Sequence, residues 1–134
     1  MFAQLPPALH AALVKEYIAG AIGDRLPPSA LDALAAPWLD ADGQPAFYRQ
    51  IAALDPADTR PLVTRLHAVR CRTRIGWGSR DPWLPVAQAY ELQAAVPGRP
   101  SVVELEGVGH LAPLEDPASV SSAVLTWLAE QEQA

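Results

Sequence analysis

The second half of the chain places an acid and a histidine at the ends of two apolar stretches. Asp81 follows the first stretch, which breaks at Gly78, and His110 follows the second, 29 positions later, in a loop that begins at Gly107. In open α/β sheets, functional groups usually lie beyond the carboxyl ends of the strands. The spacing therefore predicts acid–base chemistry at one edge of a sheet, if the two stretches are neighbouring strands. Taken alone, Asp81 would be an ordinary turn residue.

A β-α-β unit must bring these two residues together. Short strands are predicted over 73–77 and 101–105, with a helix over 86–96 between them, and this order implies parallel strands joined by a right-handed crossover. Asp116 and Pro117 predict the start of a last helix, as an N-cap and a first-turn proline, and Glu115 adds negative charge at the same end. The predicted fold class is α/β.

Residues 1–68 show helical periodicity and no strand signal. Helices are expected over about 8–22, from an N-cap at Ser29, around 47–54, and over about 59–66. The first half of the chain is therefore predicted to consist of short helices.

Three aromatic side chains are candidates for an apolar substrate pocket, namely Trp83, Trp38 and Phe47. Aromatic residues at helical spacing are also typical of a hydrophobic core, so this interpretation has a simpler alternative. His10 and His67 are expected to be structural or solvated, because neither follows a predicted strand.

Two parallel strands do not make a complete sheet. Parallel strands normally lie in sheets that helices cover on both faces, and two alone leave both edges unpaired. Either another chain supplies the remaining strands, or these 134 residues are the C-terminal part of something larger. We favour the second interpretation.

Composition and charge exclude several classes of protein. Half of the residues are apolar and 19% are charged, as in globular domains, and the formal net charge of −5 gives no general attraction to nucleic acid or to anionic membranes. A single cysteine excludes an internal disulfide framework, and no apolar run approaches the roughly 18 residues of a membrane span. With no signal-peptide pattern, we expect a cytoplasmic protein. No motif predicts a metal site or a cofactor.

The segment from Trp77, WGSRDPWLP, and the segment from Gly107, GVGHLAPLEDP, are separated by one predicted helix. This arrangement resembles the closing section of an α/β-hydrolase, in which the last two strands present an acid and then a histidine. The resemblance implies that Asp81 is the triad acid, which orients the imidazole and stabilises its protonated form, and that His110 is the base. It also implies that residues 1–68 form a helical lid and residues 69–134 the C-terminal β-α-β-α section of the core.

The nucleophile of that family is missing from this sequence. It usually lies in a G-x-S-x-G elbow that precedes the acid and the histidine, and neither this motif nor the oxyanion-hole loop is present. The resemblance implies a small, largely apolar ester or related electrophile as substrate, no cofactor, and a chain that is inactive without an N-terminal half. The nucleophile of that half would be Ser, or Asp as in haloalkane dehalogenases and epoxide hydrolases.

Two other interpretations stay open. The chain could be a truncated or degenerate remnant that acts as a binding module or has no function, and the missing nucleophile favours this. It could also bind nucleic acid through its arginines, six of which fall between positions 60 and 80. These arginines lack interleaved aromatic residues and the net charge is negative, so a solvated surface is the simpler interpretation.

Overall fold

The computed structural model describes residues 4–22 and 25–133. Four helices fill the first half: α1, Pro7–Ala19; α2, Pro28–Ala35; α3, Gly43–Ala52; and α4, Pro56–Val63. The second half alternates strands and helices: β1, Ile75–Gly78; α5, Ala87–Ala95; β2, Val102–Leu105; α6, Ala112–Glu115; and α7, Pro117–Glu132. Single 3₁₀ turns lie at Ala36–Trp38 and Leu66–Ala68. Within the described ranges, no helix combines the length and the apolar character needed to cross a membrane.

Strands β1 and β2 form a two-stranded parallel sheet. Their register runs from Ile75 opposite Val102 to Gly78 opposite Leu105. They are the only strands in residues 4–22 and 25–133, so the predicted β-α-β unit with parallel strands is confirmed. Strand β1 begins two residues later than predicted, where the amide of Ile75 donates to the carbonyl of Ser101 at 3.0 Å. Helix α5 packs against both strands, and α7 packs against β2.

The helix starts show which local signals were correct. Asp116 caps α7 as predicted, because its Oδ1 accepts from the amide of Ser119 at 2.9 Å. The predicted N-cap at Ser29 is wrong, since α2 begins at Pro28, two residues earlier than that cap implies, and Pro27, in extended conformation, precedes it without a side-chain cap. Helix α4 also begins earlier than predicted, because Asp55 accepts from the amide of Ala57 at 2.8 Å and so caps it.

The helical first half has its own hydrophobic core. Val14, Ala35 and Phe47 are buried at its centre. Beside them, His10 is 1% exposed, and its Nε2 lies 2.7 Å from the carbonyl of Trp38. A carbonyl only accepts, so Nε2 carries the proton and Nδ1 accepts from the hydroxyl of Tyr48 at 2.9 Å. His10 is therefore a structural residue of this core, one of the two roles expected for it.

Among the described residues, three hydrogen bonds join the helical half to the loop after β2 and to the start of α7. Arg25 donates from Nη1 to Oδ2 of Asp116 at 2.7 Å and from Nη2 to the carbonyl of Glu106 at 2.9 Å. The carbonyl of Ala21 accepts from the amide of His110 at 3.2 Å. Ala21 and Arg25 thus lie against the loop that follows β2. A division of the chain between residues 68 and 69 stays a prediction.

Candidate active site

The loop that follows β1 begins at a glycine that the neighbouring loop requires. A Cβ atom at Gly78 would collide with the carbonyl oxygens of Gly109 and Val108. The absence of a side chain therefore lets the loop after β2 lie directly against the end of β1.

Backbone hydrogen bonds then join the two loops. The amide of Ser79 donates to the carbonyl of Leu105 at 3.0 Å, and that of Arg80 donates to the carbonyl of Val108 at 2.9 Å. In return, the amide of Gly107 donates to the hydroxyl oxygen of Ser79 at 2.8 Å. The two loops thus form one unit that extends the parallel pairing beyond both strand ends.

Asp81 lies at the turn of the first loop, and both of its oxygens are occupied. Oδ1 accepts from the amides of Trp83 and Leu84, each at 2.9 Å, which closes a turn around the carboxylate. Oδ2 lies 2.8 Å from Nδ1 of His110, and the aspartate side chain is only 7% exposed. The position of this carboxylate is therefore fixed from both sides.

The pKa of Asp81 reflects two opposing effects. Burial by itself would raise the pKa of this carboxyl group. Hydrogen bonds from the Leu84 amide, the His110 ring and the Trp83 amide favour the charged form and outweigh burial, so the pKa lies below its usual value. Asp81 is ionised at neutral pH.

The ionised carboxylate determines the protonation of His110. A carboxylate only accepts hydrogen bonds, so Nδ1 of the ring carries a proton and donates a hydrogen bond to Asp81. In the neutral imidazole, Nε2 is then an acceptor. Among the described residues, nothing forms a hydrogen bond with Nε2, and the side chain is 27% exposed. The predicted pairing of the two side chains in space is confirmed, and their catalytic role stays a prediction.

A small open cavity of about 190 Å³ adjoins the pair. Its walls come from β1 and from both loops, and they are mostly apolar: Gly76, Trp77, Gly78, Asp81, Leu84, Gly109, His110 and Ala112. Strand β1, which lines this cavity, has a partner strand on one side only in the described chain.

Of the three predicted substrate-binding aromatics, only Trp83 lies at the site. Its ring centroid is 5.0 Å from that of His110 and 4.9 Å from that of Tyr17, so it bridges the imidazole and α1. Phe47 is 5% exposed and belongs to the helical core, and Trp38 packs against it. The short helices are rich in alanine, so this core needs large side chains to fill it, and that requirement places both residues there.

Two residues at the site were not predicted to lie there. Tyr17 lies in the segment 8–22, for which only a helix was predicted. Glu115 was expected to add charge at the start of the last helix, but its carboxylate turns back and accepts from the amides of Gly109 and Leu111. The sequence carries no signal for this, because the contact depends on the single turn of α6, which was not predicted. Among the described residues, no group of three His, Cys, Asp or Glu side chains could hold a metal ion.

Comparison with known proteins identifies the fold. No protein-family model and no curated protein matches the sequence. A solved structure of an α/β hydrolase fold protein from Burkholderia ambifaria is 34% identical, with a TM-score of 0.85, over 93% of this chain and 46% of that one. A "putative lipase (lip1)" from Acinetobacter baumannii is 21% identical, with a TM-score of 0.70, over 89% of this chain and 42% of that one, which shows the fold alone.

This chain spans less than half the length of each of these two proteins. The Burkholderia match covers 93% of this chain, whose second half contains the parallel strand pair, the two joined loops and the Asp81–His110 pair. The chain therefore belongs to the α/β-hydrolase fold, of which it forms a C-terminal section.

Proposed function

We propose that this chain supplies the acid and the base of a nucleophilic hydrolysis, with Asp81 as the acid and His110 as the base. The observation that carries the proposal is the 2.8 Å contact between Asp81 Oδ2 and His110 Nδ1, together with an Nε2 that bonds to no described residue. A histidine held in this tautomer by an ionised carboxylate is ready to accept a proton at its free nitrogen.

The proton transfers follow from this geometry. Nε2 of His110 takes the proton of a hydroxyl nucleophile, either a serine or a water molecule, as that oxygen attacks the electrophilic carbon, and the ring becomes an imidazolium. Asp81 stays ionised and stabilises that cation through the Nδ1–H hydrogen bond, without taking the proton. Nε2 then returns the proton to the leaving group.

The nucleophile lies outside this chain, on the part of the fold that continues beyond β1. A serine would attack an ester directly, with His110 as its base, and His110 would then activate a water molecule to hydrolyse the acyl-serine intermediate. An aspartate would form an ester intermediate with the substrate, and His110 would then activate a water molecule to hydrolyse it. The chain alone has no turnover in either case, because the groups of such a triad act as a unit.

The substrate is a small, largely apolar ester or related electrophile. The lining of the cavity beside His110 is mainly apolar, and the exposed ring of Trp83 extends this surface toward α1. The helical segment 1–68 acts as a lid above the site, joined to it through Tyr17 and the carbonyl of Ala21.

A chimera tests the proposal. The part of the Burkholderia ambifaria protein that this chain does not cover would be fused ahead of Met1, and hydrolysis would be measured on activated esters that the intact Burkholderia protein cleaves. We expect saturable hydrolysis that His110→Gln and Asp81→Asn abolish, while His67→Gln, an exposed histidine on a 3₁₀ turn, leaves it unchanged. A folded chimera that cleaves none of these esters would contradict the proposal.

A binding module without catalysis is the second candidate, and one feature favours it. An apolar groove of about 360 Å³ lies between the sheet and α7, where Val103, Val120, Val124 and Trp127 are among its walls. Such a groove is typical of a surface that another element covers. A folded but inactive chimera, beside an active intact relative, would favour this candidate.

A further inference from the structure

Glu115 binds the backbone amides of both residues that flank the histidine. Its Oε2 accepts from the amide of Gly109 at 2.7 Å, and its Oε1 accepts from the amide of Leu111 at 3.1 Å. We propose that Glu115 is a positioning residue, which fixes the backbone on both sides of His110 and so aims the imidazole at Asp81. The inference rests on the proposed function, since it gives that histidine its orientation.

The burial of Glu115 makes this contact a specific one. The residue is 8% exposed, and no cation pairs with it among the described residues. A buried carboxylate is costly unless hydrogen bonds satisfy it, and here the two amides do so. Gly109 is buried as well, so its amide needs this acceptor in the same way. Each side of the contact therefore requires the other.

The turn of α6 explains how a residue five positions after His110 reaches back to it. The amide of Glu115 donates to the carbonyl of Leu111 at 3.0 Å, while the Glu115 side chain accepts from the amide of Leu111. Leu111 has φ −92° and ψ 48°, outside the helical region, and this reciprocal pair closes the turn around it.

Three consecutive amides are anchored as a result. Gly109 and Leu111 donate to Glu115, and His110 between them donates to the carbonyl of Ala21 at 3.2 Å. With its backbone held on both sides, the histidine can bring Nδ1 to the carboxylate of Asp81 with little freedom to turn away. A pre-organised ring loses less conformational entropy when it forms that bond.

Proton NMR of the full chain at neutral pH tests the inference. In the wild-type chain, the Nδ1–H proton of His110 should give a protected downfield resonance, because it is bonded to a carboxylate. Glu115→Gln has one acceptor oxygen for two amide donors, and Glu115→Ala has none. We expect the His110 resonance to broaden or vanish in both variants, and exchange of the Gly109 and Leu111 amides to speed up by roughly tenfold or more.

His10 is an internal control, because its Nε2–H is buried against the Trp38 carbonyl in a different part of the fold. Its resonance should persist in both variants, which separates a local effect on His110 from unfolding. Glu91→Gln, at an exposed position on α5, is the matched substitution and should leave both histidine resonances unchanged.

Each outcome decides a different point. An unchanged His110 resonance in the folded Glu115→Gln and Glu115→Ala chains overturns the positioning role and leaves the proposed function intact. A wild-type chain with the His10 resonance but no His110 resonance contradicts the Asp81–His110 pair, and with it the proposed function. If Glu115→Ala unfolds and loses both resonances, the positioning role is tested by Glu115→Gln and by amide exchange in the wild-type chain. Fast exchange of the Gly109 and Leu111 amides in the wild-type chain overturns the inference.

Discussion

Replacing Asp81 by asparagine isolates the contact with His110, because the two carboxylate oxygens have different partners. Oδ1 accepts from the amides of Trp83 and Leu84, whereas Oδ2 accepts from Nδ1 of His110. Asparagine keeps an acceptor for the two amides but places an NH₂ group opposite the Nδ1–H donor. The turn should therefore survive, while the imidazole loses its partner or changes tautomer.

Asp81→Asn should lower the free energy of unfolding at pH 7 by about 1–2 kcal/mol, which is at the low end for a hydrogen bond to a charged group. The lower end applies because His110 is 27% exposed, so water can replace part of what the carboxylate supplied.

Asp40→Asn is the matched control. Oδ1 of Asp40 accepts from the amides of Asp42 at 3.0 Å and Gly43 at 2.6 Å, two and three residues on, which is the pattern that Asp81 makes with Trp83 and Leu84. No histidine is among its partners. Its substitution should change the free energy of unfolding by no more than about 0.5 kcal/mol, so the difference between the two variants measures the His110 contact.

The pH dependence of the free energy of unfolding gives an independent test of the Asp81 contact. Because the pKa of Asp81 is lowered in the folded chain, its stabilisation is complete above the unfolded value of about 3.9 and is lost as the pH falls through the folded pKa. The gap between wild type and Asp81→Asn should thus be full at pH 7 and close in acid. Urea titrations over this range measure it. No gap at pH 7, a gap no larger than that of Asp40→Asn, or a gap that stays constant into acid would refute the reasoning.

Three further predictions concern the loops, the activity and the groove. Gly78→Ala should lower the free energy of unfolding by about 1–3 kcal/mol, because the new Cβ meets two carbonyl oxygens. Gly76→Ala should be neutral or slightly stabilising, because a Cβ there meets nothing within 4 Å. Equal effects of the two substitutions in urea titrations would contradict this. The isolated chain should hydrolyse activated esters no faster than His110→Ala, and a saturable rate that this substitution abolishes would reveal a nucleophile within the chain. Val124→Lys, at a half-exposed position in the groove, should weaken the fluorescence of a bound hydrophobic dye. Leu9→Lys, at an exposed position on α1, should not change this fluorescence. An equal loss in both variants would mean that the dye does not report on the groove.

The parallel strands and the Asp81–His110 pair could be predicted because both depend on local pattern and on a general rule of topology. Apolar stretches that break at Gly78 and Gly107 mark where the strands end, and a β-α-β unit makes neighbouring strands parallel. Their carboxyl ends must then lie side by side. Once the strands are adjacent, two short loops bring the side chains to within 2.8 Å of each other.

The support around the pair could not be predicted, because it depends on tertiary contacts that leave no periodic signal. Glu115 reads as a helix-start charge until the turn of α6 is known. From the sequence, Trp38 and Phe47 fit either a substrate pocket or a hydrophobic core, and only the packing around Val14 and Ala35 decides for the helical core. Trp83 alone has a sequence neighbour, Asp81, that places it at the site.

The two glycines of β1 differ in whether contacts within this chain explain the lack of a side chain. At Gly78 the reason for glycine lies within the chain, since the loop after β2 occupies the space of a side chain. At Gly76 the described residues supply no such reason: a Cβ there would meet nothing within 4 Å, and the residue lines both the apolar groove and the cavity beside His110. Glycine within a strand often marks the close approach of another backbone or a ligand. An element that packs onto β1 at this point would cover the groove and also reach the cavity that His110 lines, and we expect the proposed nucleophile to come from such an element.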